Sequence, residues 1–219
     1  MMEAHSPTPL RETILDRVGT KPNVVWTPGH FSDLGGRASV DKALQRLANE
    51  GTLRRIDRGL YDKPSLNPLT NAPRPPDYRA VTEAVLGRGR ARYLVDGMTA
   101  ANDLGLTTAV PARIEVWTDA RLQPVKLGNQ EIAFKTAAPR KLFWAGRPAM
   151  RIVQALSWLD DVLDQADEKR KVRDTLELIL RKSRDAETLR KDLRDGFAAL
   201  PIWMQDYLRP IVFEEEARK

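Results

Sequence analysis

The chain has 219 residues, 42% of them apolar, with 36 Lys and Arg against 30 Asp and Glu, two His and no Cys. That length can bury one or two cores, and the absence of cysteine excludes a disulfide framework, a zinc knuckle and thiol catalysis. The net charge of +6 favours an acidic partner, although bulk charge bears on association and not on fold.

Positive charge is unevenly placed. Residues 37–63 carry seven Lys and Arg against four Asp and Glu, residues 113–151 carry eight against three, and residues 152–219 carry thirteen against fifteen. No run approaches the length needed to cross a bilayer. The opening "MMEAHSPTP" lacks the cationic-then-apolar order of a signal peptide, so the expected compartment is the cytoplasm.

In chain order, Thr8-Pro9 reads as a cap followed by proline in the first helical turn, with Leu10, Ile14 and Val18 on one face. "VVWT" (24–27) reads as a short strand. Thr27-Pro28 repeats the cap signal, and the spacing predicts a second helix through Phe31 and Leu34 that stops at Gly35-Gly36. A third helix is expected over Arg37 to Asn49, with Gly51 as breaker. Leu53 and Ile56 then alternate with Arg54, Arg55 and Arg58 around a turn closed by Gly59. Five prolines between Pro64 and Pro76 predict an extended, non-helical stretch and a domain boundary.

Beyond that boundary a helix is expected over Asp77 to Leu86, then a short one at "MTAANDLGL" (98–106). Strands follow at 113–118, 124–127 and 131–136, the last two joined by a Gly128-Asn129 hairpin turn. After Pro148 the apolar period becomes helical, as in Val172, Leu176, Ile179 and Leu180. The expected fold class is α+β.

The third helix carries the most informative pattern. At about 100° per residue, Val40, Ala43, Leu44, Leu47 and Ala48 form an apolar arc, and Ala38, Ser39, Lys42, Gln45, Arg46 and Asn49 form the opposite one. The polar arc holds no carboxylate, although Asp41 and Glu50 flank it. Lys and Arg suit phosphates or guanine edges, Gln and Asn suit adenine, and Ser suits either. A Gly-Gly turn before this helix is a helix-turn-helix arrangement, and the arginine hairpin adds a wing. Candidate DNA contacts are Arg37, Ser39, Lys42, Gln45, Arg46 and Asn49 on the helix, with Arg54, Arg55 and Arg58 on the wing. A solvated cationic surface, or a winged helix that serves protein contacts, is the alternative.

Chemistry of other kinds finds little support. His5 and His30 are isolated, which leaves no transition-metal set. The acids Asp160, Asp161, Asp164, Asp167 and Glu168 are followed at once by Lys169, Arg170 and Lys171, the pattern of a solvated mixed-charge face. "GRGRAR" (87–92) lacks the Lys-Ser/Thr of a phosphate loop and reads as a basic turn. With no Ser-His-Asp or Cys-His set, the chain is expected to be neither an enzyme nor a cofactor binder. In the second basic block, Arg113, Arg121, Lys126, Lys135, Arg140 and Lys141 are either a solvated strand face or a surface for a protein or nucleic acid.

"ASVDKALQRLANEGTLRRIDRGLYDKP", followed by "GMTAANDLGLTTAVPARIEVWTD", resembles the AbiEi-like antitoxins of type IV toxin–antitoxin and abortive-infection systems, including a subgroup known as a domain of unknown function (DUF6088-like). The resemblance covers roughly residues 10–160. It implies a winged helix-turn-helix over 1–63, a Pro-rich linker over 64–76, and an α/β antitoxin domain over 77–219 with a small antiparallel sheet and C-terminal helices. It further implies an autorepressor that binds inverted repeats in its own promoter, with two copies on that DNA, and that opposes a nucleotidyltransferase-like toxin. Carried over, the reading helix is Arg37 to Asn49 and the wing is Arg54 through Tyr61, with Gly36 where many relatives have a polar cap. Direct inhibition of the toxin by the basic strands, and a second domain that senses a small molecule, are the alternatives.

Overall fold

A computed structural model describes residues 9–21, 23–87, 91–139 and 141–213. The expected cap Thr8, His5, residues 88–90 of the basic turn and Arg140 lie outside the described residues. The chain is α+β, and it folds as two compact units: Met1–Arg90 with Pro124–Ile132, and Ala91–Gln123 with Ala133–Lys219. The boundary expected at the Pro-rich stretch is therefore not where the units divide. Among the described residues no helix is long and apolar enough to cross a membrane.

The first unit begins with α1 (Leu10–Gly19), which buries Ile14 and Val18. The helix expected over 28–34 is instead one 3-10 turn, Pro28–Phe31. Thr27 and Pro28 supply the start signals of a longer helix, but Gly29, Ser32, Gly35 and Gly36 give it little helical propensity to extend. The turn is closed by the Thr27 N–H, which donates to His30 Nδ1 at 2.9 Å. α2 (Arg37–Asn49) begins after Gly36, which offers no side-chain cap. Val40, Leu44 and Leu47 of α2 join Ile14, Val18, Trp26, Phe31, Leu53 and Tyr61 in one core.

β1 (Arg54–Asp57) and β2 (Leu60–Asp62) form an antiparallel hairpin with a bulge between Arg55 and Asp57. The expected strand at 24–27 is reduced to one bridge, in which Trp26 and Tyr61 exchange backbone hydrogen bonds of 2.6 and 2.9 Å. The Pro-rich stretch is non-helical, as expected, but it doubles back on itself instead of linking. Leu66 and Pro73 bridge, and Arg74 N–H donates to the Ser65 carbonyl at 2.8 Å. α3 (Tyr78–Leu86) follows, capped by Asp77. β5 (Val125–Leu127) and the start of β6 (Gln130–Thr136) return to this unit as a hairpin, and β5 lies against β1. Gly128 has φ +67° in the two-residue turn, which fits the turn class that demands glycine first.

The second unit holds β3 (Tyr93–Val95), α4 (Gly97–Asp103), β4 (Arg113–Thr118), the end of β6, α5 (Met150–Leu159), α6 (Ala166–Lys182), α7 (Ala186–Asp195) and α8 (Ile202–Phe213). The strands line up in the order β3-β4-β6-β5, and the four-stranded sheet is mixed instead of purely antiparallel. β3 pairs antiparallel with β4; the three-residue strand has no alternation long enough to show in the sequence. Asp96 caps α4 through the Thr99 N–H at 2.9 Å and also accepts the Glu115 N–H at 2.9 Å, which pins helix to strand. α4 meets α5 so closely that a Cβ on Gly97 would sit 2.4 Å from the Trp158 Cβ. Arg147 donates to Asp192 at 3.0 Å, joining the segment before α5 to α7. Burial pushes the Tyr207 phenol up to about 12, and its hydroxyl donates to the Lys169 carbonyl at 3.0 Å.

Within the first unit, Arg17 joins α1 to the segment before α2 by gripping Asp33 at 2.7 and 2.6 Å and the His30 carbonyl at 2.7 Å. That guanidinium holds the Asp33 carboxyl down at about 2, from an ordinary 3.8. The folded value lies below the unfolded one, so the contact stabilises the fold above pH ~4 and is lost as pH falls through about 2. In urea denaturation the gap between wild type and Asp33→Asn is expected to be full at pH 7, to narrow below pH ~4 and to close near pH 2. A gap that does not vary across that window would remove the role assigned to the pair.

Candidate nucleic-acid interface

Burial of one arc of α2 turns the other to water. Arg37, Ala38, Ser39, Lys42, Gln45, Arg46 and Asn49 are all exposed. The flanking carboxylates are matched by other cations: Asp41 accepts from Arg37 at 3.0 Å, and Glu50 accepts from Arg11 at 2.8 Å. Such exposed pairs contribute only about 0–1 kcal/mol each to stability. Their consequence here is electrostatic, because they cancel the acids beside the arc. The side chains of Lys42, Gln45, Arg46 and Asn49 have no hydrogen-bond or ion-pair partner among the described residues.

The β1–β2 hairpin separates the three arginines expected to act together. Strand alternation directs Arg54 and Ile56 to the half-buried side and Arg55 and Asp57 to the exposed side. Arg54 faces Asp62 across the hairpin and grips both its carboxylate oxygens, and its third donor reaches the Arg74 carbonyl at 2.7 Å. Its side chain is 27% exposed and that of Asp62 is 11% exposed. The Arg54 guanidinium, expected beside Arg55 and Arg58 as a contact for a partner, is thus committed to holding the β1–β2 hairpin to the Pro-rich loop. Arg55 and Arg58 remain exposed, with no guanidinium partner among the described residues. The Asp57 carboxylate accepts the backbone N–H of Arg58 at 2.7 Å and shapes the turn.

The second basic block is divided between the two units. Lys126 is exposed on β5 of the first unit, whereas Arg113, Arg121, Lys135 and Lys141 belong to the second. Lys135 pairs with Glu115 at 2.6 Å and lies 5.1 Å from the Trp117 ring centre. Lys141 sits over the same ring at 3.2 Å. Arg113 and Arg121 are exposed at the start of β4 and after its end. Arg140 lies outside the described residues.

Sequence reading missed Asp62 and Arg74 as the residues that hold the wing. The available signal was an opposite-charge pair four residues to either side of Arg58, since residues opposite each other across a hairpin interact.

The model of a family of unknown function, DUF6088, matches residues 13–187, and the chain belongs to that family. No curated protein matches the chain.

Arg54→Ala is expected to lower stability by about 1–2 kcal/mol, because it strands the nearly buried Asp62 carboxylate while solvent still reaches part of the pair. Arg55→Ala with Arg58→Ala is expected to stay within about 0.5 kcal/mol of wild type. Denaturant titration of both variants checks the contrast, and equal losses would count against the separation of roles.

Proposed function

We propose that this member of the DUF6088 family binds double-stranded DNA through a winged helix-turn-helix in its first unit. The observation that carries the reading is the exposed face of α2, where Lys42, Gln45, Arg46 and Asn49 stand without partners among the described residues beside cancelled acids. The order of elements supports it: a helix, a one-bridge strand at Trp26, a 3-10 turn, α2, and a hairpin whose second strand pairs with Trp26. The first helix of the helix-turn-helix is in this case a single 3-10 turn.

α2 lies in the major groove, whose width of about 12 Å admits a helix of about 10–12 Å with its side chains. Lys42 and Arg46 are one turn apart, about 6 Å along the axis, close to two base-pair steps. Gln45, Asn49 and Ser39 supply hydrogen bonds to base edges. Arg55 and Arg58 meet the flanking phosphates, and Arg54 keeps the wing in place for them.

The wider role follows the resemblance in residues 38–64 and 97–119. The DNA is the protein's own promoter, two copies occupy its inverted repeats, and occupancy represses an operon that also encodes a nucleotidyltransferase-like toxin. The second unit opposes that toxin in the cytoplasm, and no catalysis by this chain is involved. Co-purification of the two proteins separates direct neutralisation from an indirect one.

In gel-shift titration on DNA from upstream of its own reading frame, Lys42→Ala with Arg46→Ala is expected to weaken binding about a hundredfold or more, at about 1–3 kcal/mol per contact, with the fold intact by circular dichroism. Unchanged affinity would sink the reading of α2. Arg55→Ala with Arg58→Ala is expected to reduce the log K against log salt slope by about 1.8, from two phosphate contacts at about 0.9 each. An unaltered slope would take the wing off the phosphates.

A further inference from the structure

The hairpin β5–β6 reaches the first unit from more than sixty residues beyond the wing, and it brings a cation with it. Lys126 on β5 and Arg55 on β1 line the same groove of about 550 Å³, together with Ile56, Pro73 and the Gly128-Asn129 turn. Both cations are exposed, and neither side chain has a hydrogen-bond or ion-pair partner among the described residues.

Charge separates this groove from others on the two units. Among the described residues that line it none is a carboxylate. The smaller groove beside Arg54 and Arg74 contains Asp62 and Asp77. The groove along α8 of the second unit contains Asp160, Asp164 and Asp206. Glu131 is the cross-strand neighbour of Lys126, but it does not line the groove. A polyanion with an apolar side to its chain suits such a site: phosphates lie against the two cations, and sugar carbons lie against Ile56 and proline.

We infer that the DNA edge of the first unit is completed by the β5–β6 hairpin, and that the groove flanked by Arg55 and Lys126 takes the sugar–phosphate strand next to the bases read by α2. The inference rests on the DNA-binding reading above. Lys126 is a backbone contact that adds affinity and carries no base preference, since phosphates are the same at every sequence.

The test uses the full-length protein and two duplexes from upstream of its own reading frame, one long and one that stops short, at the wing side, of the stretch it protects from nuclease. On the long duplex, Lys126→Ala is expected to reduce the salt slope by about 0.9 and to weaken binding about fivefold near 0.15 M salt. The ratio of specific to non-specific affinity should stay at the wild-type value, and Lys126→Arg should restore the slope. On the shortened duplex, Lys126→Ala and wild type should bind alike. If Lys42→Ala with Arg46→Ala abolishes binding while Lys126→Ala keeps the wild-type slope, this inference falls and the DNA reading stands. If the wild-type protein binds no duplex, both fall together.

Discussion

Val40, Leu44 and Leu47 are driven against Ile14, Val18, Trp26 and Phe31 because each leaves water on folding, a gain of about 1.5–3 kcal/mol per side chain. Among the described residues of the first unit no single polar contact matches that sum, since exposed ion pairs such as Arg37–Asp41 contribute about 0–1 kcal/mol. A helix is rigid in cross-section, so burying one arc fixes the rotation of the other. Lys42, Gln45, Arg46 and Asn49 therefore face outward as a consequence of the core, and the proposed interface is only as well positioned as the leucines beneath it.

The periodic parts of the molecule were legible. α2 and its outer arc followed from a thirteen-residue amphipathic repeat, and the β5–β6 hairpin followed from Gly128-Asn129 between two apolar runs. Features set by few residues, or by distant ones, were not. The 3-10 turn at Pro28–Phe31 shares its opening signals with a full helix, and only the weak helix formers Gly29 and Ser32 mark that it stops after one turn. β3 is three residues long, too short for any period to show. The Pro-rich loop gave its lack of helix through proline chemistry, but its return onto the wing depends on Arg54 finding the Arg74 carbonyl, a contact across twenty residues.

Arg54 and Arg55 show why counting charge overstates an interface. The two are adjacent, identical and equally basic in the sequence. Strand alternation sends one to a carboxylate under the wing and the other to solvent. The same sorting applies in the second unit, where Lys135 is spoken for by Glu115 and Arg147 by Asp192. What remains for a partner is a smaller and more directional set than the net charge implies.

The first unit is discontinuous, with residues 124–132 added after a long excursion into the second. On a ribosome that extends the chain at about 5–20 residues per second, the hairpin emerges roughly two to eight seconds after α3. During that interval β1 lacks its later neighbour and Ile56 has one side open to water. A nascent chain is thus exposed at β1 before its edge is complete, and maturation of that edge waits on translation of a segment more than sixty residues further along the chain.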